Sequence, residues 1–150
     1  MLTRLGLTFS VAAPEDLGAI RELLDQCGLP SSDLSPAHLA DFLTCRRAGR
    51  LVGTVGWERA GQIALLRSLA VSSDHRGQGI ARDLWTRVCD RARSVGIVRF
   101  YLLTTTAAAL FERWGFARVP REDVPSPIRT TPEFTTLCPS SAVVMSAPVL

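Results

Sequence analysis

A glycine-containing stretch between an apolar run and an amphipathic pattern constrains this chain more than any other feature. It reads Arg76, Gly77, Gln78, Gly79, Ile80 and Ala81. The apolar run Ile63–Val71 predicts a strand, and apolar residues recurring every four positions over residues 79–95 predict a helix. Glycines let the backbone approach a ligand closely, and the first turn of a helix offers unpaired N–H groups and the positive end of its dipole. The stretch therefore predicts a pyrophosphate-binding loop built from main-chain atoms.

Composition indicates one domain over residues 1–150, because 47% apolar content in 150 residues is enough to form a core. No apolar run reaches the ~20 residues that cross a bilayer. Residues 1–10 lack the apolar core and cleavage site of a signal peptide, so we expect a cytoplasmic protein that does not bind membranes. The net charge of +3 comes from arginines spread along the chain, which suits an anionic cofactor and argues against a nucleic-acid partner.

The cysteines do not form a recognisable site. There are 4 of them, widely spaced and without a C-x-x-C pair or clustered histidines. We therefore expect neither a zinc site nor any other metal, and no disulfide framework. They are Cys27, Cys45, Cys89 and Cys138.

The first half of the chain predicts a helix followed by an antiparallel meander. Residues 5–10 favour a first strand, residues 11–27 a loop and helix that Gly28 ends, and residues 35–41 a short helix. Three further strands are predicted at Phe42–Arg47, residues 51–58 and Ile63–Val71, because short glycine-containing turns separate them.

The second half predicts alternating helices and strands. After the long helix at residues 79–95, a buried strand is expected at residues 98–103, a short helix at 105–114 and a strand at 117–119. Prolines interrupt the following tail before a last strand at residues 141–145.

Three segments in this order resemble the GNAT superfamily of acetyl-coenzyme A-dependent N-acetyltransferases. They are the strand end Leu69-Ala70-Val71, the stretch from Arg76 to Ala81, and residues 109–116, which end in Gly115-Phe116. The resemblance covers nearly the whole chain. It implies an α/β GNAT fold, with a mixed, mostly antiparallel sheet of six to seven strands flanked by about four helices.

The second half of the chain looks like the acetyltransferase domain of N-acetylglutamate synthase. The resemblance lies in residues 102–106, 111–113 and 115–116, and in a last strand that ends in Met145. Leu102 to Thr106 and Leu137 to Pro139 also look like the small arsenic-resistance N-acetyltransferases, which are stand-alone domains of about this length. The amino-acid-kinase domain found in many glutamate acetyltransferases is absent from the sequence, which lowers the expectation of a biosynthetic role.

The resemblance implies that acetyl-coenzyme A binds as a co-substrate, without a metal. Its pantetheine arm would pair with the backbone of Leu69, Ala70 and Val71, and its pyrophosphate with N–H groups of the Arg76 to Ala81 stretch. An N–H near Leu69 would polarise the thioester carbonyl. Phe111 aligns with a family tyrosine that protonates the departing thiolate, so it is predicted to contact the cofactor but cannot act as an acid.

The catalytic base and the acceptor site are less defined. Leu65 stands where N-acetylglutamate synthase has its acid, which leaves Glu58 or a water relay as candidates for the base. Ser68, or a hydroxyl among Thr104 to Thr106, could protonate the thiolate. Arg67 shares a strand face with Leu65 and could clamp an acceptor carboxylate, and the acceptor site is also predicted to include Thr104 and Thr105.

The predicted function is therefore acetylation of the amino group of a small amino acid or an amino-acid-like toxin, such as an organoarsenical analogue of glutamate. The alternatives are a peptide or protein N-acetyltransferase and a coenzyme A-binding regulatory module without turnover, which Leu65 and Phe111 favour. Dimers are common in the family, so the resemblance is compatible with a homodimer, but the sequence does not determine the oligomeric state.

Overall fold

Eight strands and four α-helices are present in the computed structural model, which describes residues 3, 4 and 6–149. The strands are β1 (Thr3–Arg4), β2 (Leu7–Val11), β3 (Phe42–Arg47), β4 (Arg50–Ala60), β5 (Ile63–Val71), β6 (Arg99–Thr104), β7 (Ala117–Arg118) and β8 (Val143–Pro148). The helices are α1 (Leu17–Gln26), α2 (Ile80–Ser94), α3 (Ala108–Arg113) and α4 (Ser126–Arg129). Short 3-10 helices lie at Pro14–Asp16, Pro36–Asp41, Ser73–His75 and Arg121–Asp123, and a π-helix at Glu133–Leu137.

Two compact units divide the chain, and each contains two separate stretches of sequence. The first comprises residues up to Trp57 together with Ser68–Arg91, and the second comprises Glu58–Arg67 together with the residues from Ala92 onward. Strands β4 and β5 and helix α2 each continue from one unit into the other. Neither unit is therefore a contiguous segment, and the single domain over residues 1–150 stays a prediction.

The first unit contains the predicted antiparallel meander. Strand β2 pairs with β3, and β3 pairs with β4, with Phe42 opposite Gly56. The apolar face of α1, formed by Ile20, Leu23 and Leu24, packs into one core cluster with Phe42. Leu23 and Leu24 lie three and four positions after Ile20, and this spacing places all three side chains on one face of the helix.

The second unit contains the strand order β5, β6, β8, β7. Residues Ile63–Leu65 of β5 pair in parallel with Arg99–Tyr101 of β6, whereas β8 runs antiparallel to both β6 and β7. Leu65, Val124, Ile128 and Val144 form its core cluster, and Phe134 packs against them.

The expected α/β fold with a mixed, mostly antiparallel sheet is confirmed. Strands β3 and β5 have the predicted bounds, and α2 lies within the predicted residues 79–95. The short helix predicted at residues 35–41 is a 3-10 helix, Pro36–Asp41. The predicted first strand starts at Leu5, which is outside the described residues, and its described part is β2. Among the described helices, none has the length and apolar character that crossing a bilayer requires.

The packing of β4 against the start of β3 can be tested by substituting Gly56. A Cβ at this position would lie 2.4 Å from Cδ1 and Cε1 of Phe42, which is itself buried. We expect Gly56→Ala to lower the free energy of unfolding by about 1–3 kcal/mol, because the ring must leave its preferred position. The measurement is urea unfolding followed by circular dichroism.

Gly18→Ala is the matched control, because a Cβ at Gly18 in α1 meets no atom of the described residues within 4 Å outside its chain neighbours and the nearby helix backbone. It should leave stability unchanged or raise it by up to about 1 kcal/mol, since alanine favours the helix. Equal unfolding midpoints for the two variants would contradict the close packing of Gly56 on Phe42.

Candidate functional site

The predicted phosphate loop lies between the end of β5 and the start of α2. Gly77 and Gly79 have φ angles of 79° and 80°, and both residues are exposed. Apart from the adjacent residues 76 and 78, no atom of the described residues lies within 4 Å of the position that a Cβ on Gly77 would take. Helix α2 follows at Ile80, so the N–H groups of its first turn have no carbonyl partner within the helix. This site could accommodate an anionic pyrophosphate, because the loop is exposed, the space beside Gly77 holds no side chain of the described residues, and the positive end of the helix dipole lies next to it.

Helix α2 is held at this place by close packing on β4. Ile80 and Leu84 are buried on its inner face. A Cβ on Gly53 of β4 would lie 3.0 Å from Cγ2 of Ile80 and 3.2 Å from Cδ1 of Leu84. The first turn of α2 therefore has little freedom to move, which fixes the direction of its N–H groups.

The side chain of Arg76 folds back onto the end of β5. Its Nε donates to the carbonyl of Val71 at 3.2 Å, and its Nη2 lies 3.6 Å from Sγ of Cys27. The Cys27 thiol also donates to the Val71 carbonyl at 3.7 Å. Arg76 thus joins the loop to β5, and sequence reasoning gave no sign of the contact with Cys27, which lies far away in the chain.

Strand β5 is irregular at Ser68. This buried serine has a φ of 60°, in the left-handed region that residues other than glycine seldom adopt. The backbone therefore departs from regular strand geometry immediately before the N–H of Leu69. Ala70 packs in the core cluster of the first unit, so Leu69 and Val71 are the partly exposed residues of this strand end. No pattern in the sequence signals a left-handed residue here.

A charged cluster in the second unit contains Arg67, Glu58 and Glu133. The Arg67 side chain is 0% exposed, and its Nη1 donates to Oε2 of Glu58 at 3.1 Å. Its Nε lies 3.7 Å from Oε1 of Glu133, whose side chain is 5% exposed, whereas that of Glu58 is 19% exposed. The structure therefore brings together the predicted base candidate and the predicted clamp, and it adds Glu133, which sequence reasoning missed.

The structure also gives the surroundings of the other predicted site residues, which are Leu65, Phe111, Thr104 and Thr105. Leu65 is fully buried in the core of the second unit. Phe111 is buried against Trp114 and Phe116, with both ring centroids 5.5 Å from its own. Thr104 Oγ1 accepts a hydrogen bond of 2.9 Å from the Ala107 N–H, just before α3, whereas Thr105 is exposed. The binding roles predicted for Phe111, Thr104 and Thr105 stay predictions.

Comparison with known proteins identifies a family and several relatives. The sequence model of the Acetyltransferase (GNAT) family matches residues 13–116. An amino-acid acetyltransferase of Pseudomonas putida is 29% identical over 126 residues, which cover 77% of this chain and 28% of that protein. An IAA acetyltransferase of Azospirillum brasilense is 30% identical over 118 residues, covering 66% of this chain and 77% of that protein.

A similar solved structure is N-acetylglutamate synthase of Neisseria gonorrhoeae complexed with coenzyme A and N-acetyl-glutamate. The TM-score is 0.83 at 20% identity, and the match covers 99% of this chain and 36% of the other. At that identity the likeness concerns the fold. The chain spans about a quarter to a third of the length of the amino-acid acetyltransferases and the synthase that it matches.

Proposed function

This chain belongs to the acetyltransferase (GNAT) family, and on that premise we propose that it transfers an acetyl group from acetyl-coenzyme A to the amino group of a small amino acid or an amino-acid-like compound. The observation that carries the proposal is the loop from Arg76 to Ala81, in which two exposed left-handed glycines lead into the first turn of α2. That arrangement binds a pyrophosphate through main-chain N–H groups.

The acceptor class is supported by the relatives. The Pseudomonas protein carries the name amino-acid acetyltransferase, and the Neisseria structure contains N-acetyl-glutamate. An amino-acid-like toxin, including an organoarsenical, falls in the same chemical class. Its support is the resemblance of residues 102–106 and 137–139 to arsenic-resistance acetyltransferases.

The surroundings of Arg67 favour Glu58 over Arg67 as the residue that receives the acceptor. With all three side chains ionised, the single guanidinium of Arg67 and the two carboxylates of Glu58 and Glu133 have a formal net charge of −1. A negatively charged cluster attracts the ammonium group of an amino acid and repels its carboxylate. We therefore favour Glu58 as the group that meets the amine, and the carboxylate clamp by Arg67 remains the weaker proposal.

The chemistry would use few groups of this chain. The co-substrate supplies an activated thioester, and a neutral amine is needed for attack on its carbonyl. The Glu58 carboxylate would take the proton of the amine. The Leu69 N–H, which follows the left-handed Ser68, would donate to the carbonyl oxygen as negative charge develops on it. After the attack the amine nitrogen carries one surplus proton, which the Ser68 hydroxyl would relay to the departing sulfur, so that the serine ends neutral. A thiol with a pKa of ~8.5 leaves readily even without this proton.

The proposed function is tested by measuring thiol release from acetyl-coenzyme A. The acceptor panel contains glutamate, other amino acids, phosphinothricin, arsinothricin and short peptides. We expect turnover with at least one amino acid or amino-acid analogue, because the relatives named amino-acid acetyltransferase and the charged cluster both favour a small amine.

Two other outcomes would contradict this function. Turnover with peptides alone would indicate a peptide N-acetyltransferase. Tight binding of coenzyme A without turnover on any acceptor would indicate a regulatory module, for which the fully buried Leu65 and the hydroxyl-free Phe111 are the supporting observations.

A further inference from the structure

Glu133 carries a carboxylate in a buried position, where a charged group is energetically unfavourable. Its side chain is 5% exposed, and its Oε1 lies 3.7 Å from Nε of Arg67. Removing a charged group from water is strongly unfavourable unless an opposite charge compensates for it. The Arg67 guanidinium is a compensating charge for the buried carboxylate of Glu133.

The geometry of Arg67 links Glu133 to Glu58. A guanidinium group is planar and rigid, so a carboxylate that attracts its Nε side also influences the direction of its other nitrogens. Nη1 of Arg67 donates to Oε2 of Glu58 at 3.1 Å. Of these three side chains, Glu58 is the most exposed, at 19%. Arg67 therefore connects the most buried carboxylate of the cluster to the most exposed one.

The segment that carries Glu133 is itself fixed by tertiary contacts. Glu133 begins the π-helix Glu133–Leu137, and its carbonyl accepts a hydrogen bond of 2.9 Å from the Cys138 N–H. The next residue, Phe134, packs against the core cluster that contains Leu65. The guanidinium of Arg121 lies 5.2 Å from the centroid of the Phe134 ring. π-Helical turns often mark functional sites, because they place one side chain where a regular helix would not.

We propose that Glu133 is a positioning residue, which acts through Arg67 to hold the carboxylate of Glu58 in the orientation that receives the acceptor amine. The inference rests on the proposed function and on the role of Glu58 as the base. Glu133 does not touch the reacting atoms. It fixes the guanidinium against which Glu58 is held.

The first test is a double-mutant cycle with Glu58→Gln, Glu133→Gln and the double variant. Glu133→Gln alone should lower kcat roughly 10- to 100-fold, since misplacing a catalytic group by about 1 Å has effects of this size. The dissociation constant of coenzyme A should not change. In the Glu58→Gln background, the second substitution should have no further effect on kcat, because there is no base left to position.

A purely structural role predicts a different result from the same cycle. Glu133→Gln would then lower kcat by the same factor in both backgrounds, and this result would overturn the proposal. Wild-type activity of Glu58→Gln would overturn it as well, because Glu58 would not be the base. If Glu133→Gln does not fold, Glu133→Asp takes its place, since it keeps the charge and shortens the side chain by one methylene.

A spectroscopic measurement tests the link without turnover. In protein labelled with ¹³C-glutamate, the carboxyl resonance of Glu58 is identified by its absence in Glu58→Gln. We expect this resonance to shift in Glu133→Gln and to stay in place in Glu112→Gln. Glu112 is a matched control, because it pairs with Arg118 at 3.9 Å on the surface.

The two measurements separate the inference from the proposed function. If the wild-type protein acetylates no acceptor, the proposed function fails, and the resonance alone decides the inference. A Glu58 resonance that does not respond to Glu133→Gln overturns the inference whether or not the enzyme turns over.

Discussion

Glu58→Gln is expected to lower kcat with an amino acid acceptor roughly 100-fold or more near neutral pH, because general base catalysis contributes factors of 10² to 10⁴. The amide keeps an oxygen that can accept the 3.1 Å hydrogen bond from Nη1 of Arg67, so the cluster should stay folded. It cannot take a proton from the acceptor. The loss should shrink as the pH rises past the pKa of the acceptor amine, since the amine then arrives already deprotonated.

The measurement is a pH series of kcat for the wild type and Glu58→Gln, with thermal unfolding as a check on folding. Glu112→Gln removes a carboxylate from an exposed ion pair and should keep wild-type kcat throughout. If Glu58→Gln also keeps wild-type kcat at every pH, Glu58 is not the base, and the water relay becomes the favoured alternative.

Gly77→Ala is expected to raise the dissociation constant of coenzyme A roughly 10- to 100-fold, which is the size of losing one hydrogen bond to a charged group. The left-handed conformation, φ 79°, costs a residue with a side chain about 1–2 kcal/mol. The loop escapes this strain by changing φ, and the change turns the neighbouring N–H groups away from the pyrophosphate. Steric overlap is not the cause, because a Cβ at Gly77 meets no atom of the described residues within 4 Å outside its chain neighbours.

Gly61→Ala separates backbone strain from ligand binding. Gly61 follows β4 and has a φ of 66°. Apart from its two chain neighbours, no atom of the described part of the chain lies within 4 Å of an added Cβ. Either variant should lose at most about 1–2 kcal/mol of stability in thermal unfolding, but only Gly77→Ala should bind coenzyme A more weakly in isothermal titration calorimetry. Unchanged binding by Gly77→Ala would show that this loop does not hold the pyrophosphate.

Most of the fold could be predicted because its elements depend on short-range patterns. Strands β3 and β5 and helix α2 follow from runs of apolar residues and from their spacing, and glycines mark the turns between them. The proline-rich tail could not be predicted in the same way. Its helical turns, including α4 and the π-helix, are short, and burial of Val124, Ile128 and Phe134 on the second unit's core stabilises them.

Only part of the candidate site could be predicted from the sequence, for the same reason. The phosphate loop is contiguous, so the order of residues from Arg76 to Ala81 is sufficient to predict its location and its ligand chemistry. Arg67 and Glu58 were identified as separate candidates, but their contact was not. Glu133 has no local signal at all, because a glutamate next to a proline in an irregular segment ordinarily faces solvent.

The sequence by itself determined the order of elements, the glycine loop before α2, and the absence of a hydroxyl at Phe111, because these properties depend on residue identity and local spacing. Only the tertiary structure decided that Ser68 is left-handed within β5, that Arg76 folds onto Val71, and that Arg67 lies between two carboxylates. The physical reason is that a buried charge needs a partner, and that partner can come from any element that packs nearby, however far away it lies in the chain.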